Sequence, residues 1–175
     1  MIKVAVTEKE FNKAKRIFEN ADKNGLMCLA APSEENELAS FVAKHQINHV
    51  IVGVEPYRAK LYTTLKPGSL IARFGVGVDN INQKLASEKN IYCTNTPDAL
   101  TNCVAEHAVA LMLTMARNIP KMVTEFERGN WQPQMGFELS GKNLVIIGAG
   151  KIGSRLAQIA NIGFQMNVTG VYNSI

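Results

Sequence analysis

Short runs of β-branched and other apolar residues recur through the first hundred positions, each followed by a segment whose apolar residues fall three or four apart. The runs are residues 2–6, 26–30, 49–54, 69–74 and 91–95. Runs of this length bounded by turn residues predict strands, and 49–54 is continuously apolar, as buried parallel strands are. Between them the period is helical. Thr7, with Glu10 three residues on, has the spacing of a capping box and predicts a helix with Phe11, Ala14, Ile17 and Phe18 on its apolar face. Gly25 closes the following turn. Pro32 and Ser33 open a second helix with Leu38, Phe41 and Val42 on one side. Residues 57–65 predict a short third helix, ended by Lys66-Pro67-Gly68, and residues 80–89 a fourth. Strict alternation with short connections predicts a parallel sheet wrapped by helices on both faces, with ligands at the carboxyl ends of the strands.

After Pro97 the pattern changes. Residues 101–119 form a long helical pattern with Val104, Ala108, Leu111, Met112 and Met115 on the predicted inner face. Val109, Ala110 and Leu113 are apolar too, so the helix reads as buried on most sides. Pro120 predicts a kink or a restart, and a second helical piece runs to Arg128-Gly129. A loop with Trp131 and Pro133 then leads to the apolar run 143–147 and to Gly148-Ala149-Gly150-Lys151-Ile152-Gly153 at the head of another helical pattern. A strand that ends in glycines and feeds a helix is the G-x-G-x-x-G arrangement that grips a dinucleotide pyrophosphate. The glycine spelling alone is weak evidence; its position between a β run and an α run strengthens it. Gly148, Gly150 and Gly153 are the candidate cofactor residues there.

A second glycine pair, Gly75-Val76-Gly77, follows the run 69–74. Such a pair lets the backbone turn tightly and present N–H groups outward near a helix start, a geometry suited to an anion such as a carboxylate. On spacing alone the alternative is a strand-to-helix turn that needs φ > 0. Glu106 and His107 are adjacent on the long helix, about 100° apart, and form no catalytic pair on one face. His107 reads as a hydrogen-bonded packing residue. Glu106 reads as a partner for a loop or backbone group, or as a residue that orients a bound cofactor.

Composition changes this picture little. The chain has 175 residues, 46% hydrophobic and 19% charged, with net charge +4, which is ordinary for a folded protein. Its 19 basic residues form no run of five or six, so no nucleic-acid footprint is indicated. The three cysteines have no C-x-x-C spacing and the three histidines add no ligand pattern, so no metal site is expected and reduced thiols fit best. No segment reaches the ~18 continuous apolar residues of a membrane span, and the N-terminus lacks a signal-peptide core. A cytoplasmic location is the expectation, with no membrane partner.

The ordered motifs are specific in combination. Ala72-Arg73-Phe74-Gly75-Val76-Gly77-Val78-Asp79-Asn80-Ile81 is followed by Asn95-Thr96-Pro97, Val104-Ala105-Glu106-His107, Arg117-Asn118-Ile119 and Arg128-Gly129-Asn130-Trp131. Glu138-Leu139-Ser140-Gly141-Lys142 then leads into the glycine fingerprint. This series resembles the D-isomer-specific 2-hydroxyacid dehydrogenase family, which includes D-lactate, D-3-phosphoglycerate and glyoxylate/hydroxypyruvate enzymes. The resemblance spans nearly the whole chain. It implies an α/β protein: a flavodoxin-like parallel-sheet substrate domain over residues 1–100, connector helices and a loop over 101–141, and the first βαβ unit of a Rossmann domain over 142–175. It also implies that the N–H groups of Val76 and Gly77 hold a substrate carboxylate. Lys151 and Ile152 would then sit on the pyrophosphate, and Val104 near the cofactor. The implied activity is NAD(P)-dependent reduction of a 2-oxo acid to a D-2-hydroxy acid, or the reverse, in a homodimer.

Three departures limit that expectation. The family's catalytic arginine, glutamate and histidine come from later in the Rossmann domain, so they are expected beyond residue 175 and none is assigned here. The chain is accordingly read as a partial and inactive portion. The usual Asp-Asn-Ile-Asp motif reads Asp79-Asn80-Ile81-Asn82. The acid that grips the ribose 2′-OH, about 20 residues past the glycines, is missing; Tyr172 or Asn173 takes its place. With no carboxylate to repel a 2′-phosphate, NAD and NADP stay open, and Asn173 is a candidate for either. The alternative function is a non-catalytic NAD(P)-binding or corepressor-like assembly module.

Overall fold

A computed structural model describes residues 1–172 of the chain. The chain divides into two compact units, Met1–Ala99 and Leu100–Ile175.

The first unit is built on five strands: β1 (Ile2–Thr7), β2 (Leu26–Ala31), β3 (His49–Val52), β4 (Leu70–Arg73) and β5 (Tyr92–Thr94). They pair in the order β2-β1-β3-β4-β5, every pair parallel. This is the flavodoxin-like order, whose reversal point lies between β1 and β3. Side chains alternate across the sheet. Ala5, Val50, Val52 and Ile71 join Leu38 and Val42 of α3 (Glu35–His45), Leu61 and Tyr62 of α4 (Lys60–Thr64) and Ala86 of α5 (Gln83–Glu88). Val4 and Val6 face the other way, onto Phe18 with Phe11 and Ala14. Residues on both faces of the central strands β1 and β3 are thus packed, whereas β5 at the edge is exposed at all three residues.

The helix after β1 differs from its prediction. It breaks at Ala14 (φ −132°, ψ 37°) into α1 (Glu8–Lys13) and α2 (Lys15–Glu19), and Ile17 is 73% exposed instead of facing the core. The capping box is also different. The Thr7 hydroxyl donates to the Glu10 carboxylate, and Thr7 makes no side-chain cap bond to the backbone. Glu10 is 2% exposed, and Lys13 Nζ donates to it at 3.0 Å. Burial alone raises the Glu10 pKa, but the bonds from Thr7 and Lys13 and the Lys13 charge outweigh it and hold the group below its ordinary value. The carboxylate occupies the space where a Cβ on Gly53 would stand, so position 53 at the end of β3 accepts only glycine without rearrangement.

The third and fourth predicted helices shorten for similar reasons. Residues 57–59 are not helical, because Tyr57 pairs with Ile81 as an isolated parallel bridge and its N–H donates to Asn80 O at 2.8 Å. The Glu35 carboxylate accepts from the N–H groups of Arg58, Ala59 and Leu61, at 2.9, 2.9 and 3.1 Å, so a residue distant in sequence caps α4. In α5 the cap is Asn82, whose side chain accepts from Leu85 N at 3.0 Å.

The second unit holds α6 (Thr101–Ala116), α7 (Ile119–Glu127), β6 (Asn143–Ile147), α8 (Lys151–Phe164) and β7 (Asn167–Val171), with β6 and β7 parallel. Pro120 restarts the helix in its first turn, after Asn118 adopts a left-handed φ of 53°. The predicted inner face of α6 is corrected. Ala105 and Ala116 are its buried residues, and Met112 and Leu113 contact the cluster of Leu139, Ala160 and Met166. Val104, Leu111 and Met115 are 41%, 51% and 75% exposed. A helix apolar on every side gives no phase to read, and small residues let α6 approach α8. No helix among the described residues is long and apolar enough to cross a membrane.

A lowered carboxylate pKa contributes stability that is present above the unfolded value and lost as pH falls through the folded one. In denaturant melts, the stability lost on Glu10→Gln is therefore expected to be widest near neutral pH and to close as pH falls below the ordinary value of 4.5. A gap that does not change with pH contradicts this assignment.

Candidate functional site

The first candidate site is the segment 74–80 after β4. Gly75 takes φ +147°, so the requirement for glycine geometry falls on it; a Cβ there would also meet the Arg73 guanidinium. Gly77 has no such φ, and nothing lies within 4 Å of where its Cβ would be. Two carbonyls of the segment are tied to residues that follow β5. Thr96 N donates to Gly75 O at 3.0 Å, and Asn95 Nδ2 to Val76 O at 2.6 Å. Among the described residues the Val76 and Gly77 N–H groups have no acceptor.

The source of positive potential differs from the expectation. The short helix α5 starts at Gln83, and Asn82 caps it, so no helix end meets the loop. Arg73 places its guanidinium against Gly75; its Nη1 donates to Phe74 O and its Nε is buried without a partner among the described residues. Unclaimed N–H groups and a guanidinium in one segment are groups suited to an anion.

The second candidate site is the glycine turn of the βαβ unit, where each glycine has a different physical task. Gly148 takes φ +98°, and its N–H and that of Ala149 donate to Val171 O at 2.9 and 3.1 Å, closing the turn against β7. Gly150 is the N-cap of α8 and has nothing within 4 Å of an added Cβ, leaving its backbone open to close approach. At Gly153 an added Cβ would overlap the Gly148 carbonyl oxygen and meet Ile146 Cγ2 at 3.1 Å, so helix and strand touch there. The first helical bond is Ser154 N to Gly150 O, 2.8 Å. The N–H groups of Ile152 and Gly153 therefore precede the helical ladder and, with the positive end of a helix of 14 residues, suit a diphosphate.

The remaining candidates fall as follows. Lys151 and Ile152 are exposed in the first turn of α8, and Val104 is exposed in the first turn of α6. Tyr172 follows β7 and is exposed; Asn173 lies outside the described residues. His107 is exposed instead of packed, and Glu106 beside it is exposed as well.

Sequence reasoning missed the polar residues that hold the first loop. Asn80 Nδ2 donates to Gly53 O and Glu55 O, at 2.8 and 2.9 Å, tying the loop after β4 to the loop after β3. The buried Tyr62 hydroxyl accepts from Asn82 N at 2.7 Å and donates to Tyr57 O at 3.1 Å. Burial pushes its pKa up to about 12, partly offset by the bond from Asn82. The available signal was the side-chain amide at Asn80 and at Asn95, beside a glycine loop whose carbonyls need donors.

A flavodoxin-like five-stranded parallel unit, followed by a βαβ unit with a glycine turn, defines an α/β protein. The chain matches the D-isomer specific 2-hydroxyacid dehydrogenase catalytic domain over residues 4–168, and it belongs to that family. It is 36% identical, over 97% of its length, to a D-3-phosphoglycerate dehydrogenase of Methanocaldococcus jannaschii, of which it covers 32%. It is 40% identical, over 57% of its length, to a glyoxylate reductase of Pyrococcus furiosus, again covering 32%. The chain thus spans about a third of the length of these relatives. The solved D-lactate dehydrogenase of Aquifex aeolicus, complexed with NAD and lactic acid, shares the fold. Its TM-score is 0.77 at 23% identity, with 98% of this chain and 56% of that one covered.

The last glycine of the turn differs from the middle one in a measurable way. Gly153→Ala forces a Cβ onto a backbone oxygen and is expected to cost about 1–3 kcal/mol. Gly150→Ala meets open space and is expected to leave the melting temperature nearly unchanged. Equal losses in a thermal-melt comparison would contradict the close contact at Gly153.

Proposed function

We propose that the protein carrying this chain is a nicotinamide-dependent oxidoreductase that reduces a 2-oxo acid to a D-2-hydroxy acid, or runs the reverse. The observation that carries this reading is the pair of N–H groups at Val76 and Gly77 that have no acceptor among the described residues. Family membership supports oxidoreductase chemistry in general. In this reading Val76 and Gly77 bind the substrate carboxylate and fix which face of the 2-oxo carbon is presented. Orientation of this kind is the main contribution a binding loop makes to rate. Gly148, Gly150, Lys151, Ile152 and Gly153 hold the pyrophosphate, and Val104 lies beside the cofactor. The cofactor, when bound, supplies or takes up the hydride. No residue of this chain is assigned the proton transfer.

NAD is the first choice, supported by the NAD named with the lactate dehydrogenase structure. NADP is the second, because β7 ends at Val171 and Tyr172 follows it, with no carboxylate there to repel a 2′-phosphate. A homodimer is part of the proposal, supported by family membership and by the apolar residues Leu111 and Met115 exposed on α6. A corepressor-like role remains the competing function, since it needs the same cofactor loop and no substrate.

The test is a turnover assay of the protein at its native length with NADH or NADPH and glyoxylate, hydroxypyruvate or pyruvate. Saturable oxidation of one cofactor by at least one of these acids is the expected result. Cofactor binding without turnover would favour the assembly role. A protein whose melting temperature responds to neither cofactor would overturn both.

A further inference from the structure

We propose that Asn95 is a positioning residue: its side-chain amide sets the direction of the Gly77 N–H and so tunes the anion loop. The inference rests on the reading of Val76 and Gly77 as the carboxylate site, and it deepens that reading by naming what aims them.

A trans peptide is planar, so a carbonyl and the N–H of the next residue point in opposite directions from one rigid plate. The plate that carries the Gly77 N–H also carries the Val76 carbonyl, and Asn95 Nδ2 donates to that carbonyl at 2.6 Å. The plate that carries the Val76 N–H also carries the Gly75 carbonyl, to which Thr96 N donates at 3.0 Å. Two successive plates thus have their carbonyls drawn toward one short segment after β5. Their N–H groups are turned away from it together. Successive N–H groups held in one direction form an anion-binding concavity.

These bonds matter because the loop has little else to fix it. Gly75 and Gly77 carry no side chain, Gly77 has open space around its Cβ position, and ordering a glycine costs more entropy than ordering other residues. The far end is fixed independently. Asn80 donates to Gly53 O and Glu55 O and accepts from Tyr57 N at 2.8 Å. Of the two plates that carry the Val76 and Gly77 N–H groups, only that of Gly77 is held by a side chain. Thr96 acts through its backbone and is not altered by changing its side chain. The two N–H groups should therefore respond differently to loss of the Asn95 amide.

The experiment compares the protein at its native length with Asn95→Ala, by turnover and by backbone amide NMR with oxalate as the anion. In the unsubstituted protein, oxalate is expected to shift the amide resonances of both Val76 and Gly77. In Asn95→Ala the Gly77 response is expected to be lost and the Val76 response kept. KM for the 2-oxo acid should rise about tenfold to a hundredfold, as loss of a bond to a charged group does, while KM for the nicotinamide cofactor stays within about twofold. Equal rises in both KM values, with a lowered melting temperature, would reduce Asn95 to a merely structural part and overturn the proposal. An unchanged Gly77 response would overturn it too. An oxalate response at both amides without reduction of any 2-oxo acid would sink the proposed function and leave this inference standing. No oxalate response at either amide would sink both.

Discussion

Parallel pairing is the constraint on which the first unit depends. Five strands running the same way place every carboxyl end on one edge of the sheet, so the loops after β1, β3, β4 and β5 are brought side by side. A parallel ladder also needs both faces covered, which commits the apolar side chains to the two helical layers and leaves the loops to polar contacts. What holds the loops is accordingly a set of side chains bonded to the backbone. Asn80 joins the loops after β4 and β3, Asn95 joins those after β5 and β4, and Glu35 caps α4 from another helix. Each such bond contributes about 0.5–1.5 kcal/mol net and fixes the path of a loop that has little apolar packing.

The sheet itself was legible in the sequence, because buried parallel strands are short apolar runs and their number and order of appearance follow directly. Helix ends were less legible. Residues 57–59 look helical, yet Tyr57 is used as a bridge to Ile81 and Glu35 supplies the cap; both partners are distant in sequence. The break at Ala14 leaves Ile17 in solvent, although local periodicity put it on the core face. The inner face of α6 could not be found from periodicity when nearly every position is apolar. Close approach through Ala105 and Ala116, instead of bulk through Leu111 and Met115, set its orientation.

The candidate sites divide in the same way. The turn at Gly148, Gly150 and Gly153 was readable because each glycine answers a local need: a left-handed φ, an open backbone, and contact between helix and strand. The loop at Val76 and Gly77 was readable as a glycine pair only. The helix end expected beside it does not meet the loop, since α5 starts at Gln83, and the guanidinium against Gly75 is that of Arg73. Asn80 and Asn95 carried no periodic or motif signal of their own, so their task emerged only once the strands had brought the loops together.

The central claim is that the Val76 and Gly77 N–H groups receive a carboxylate. A crystal structure of the native-length protein with NAD and oxamate tests it most directly. The account predicts a carboxylate oxygen within about 3.2 Å of both nitrogens, on the side of the loop opposite Asn95. An oxamate carboxylate bound elsewhere, with those two N–H groups donating to other protein atoms, would contradict it.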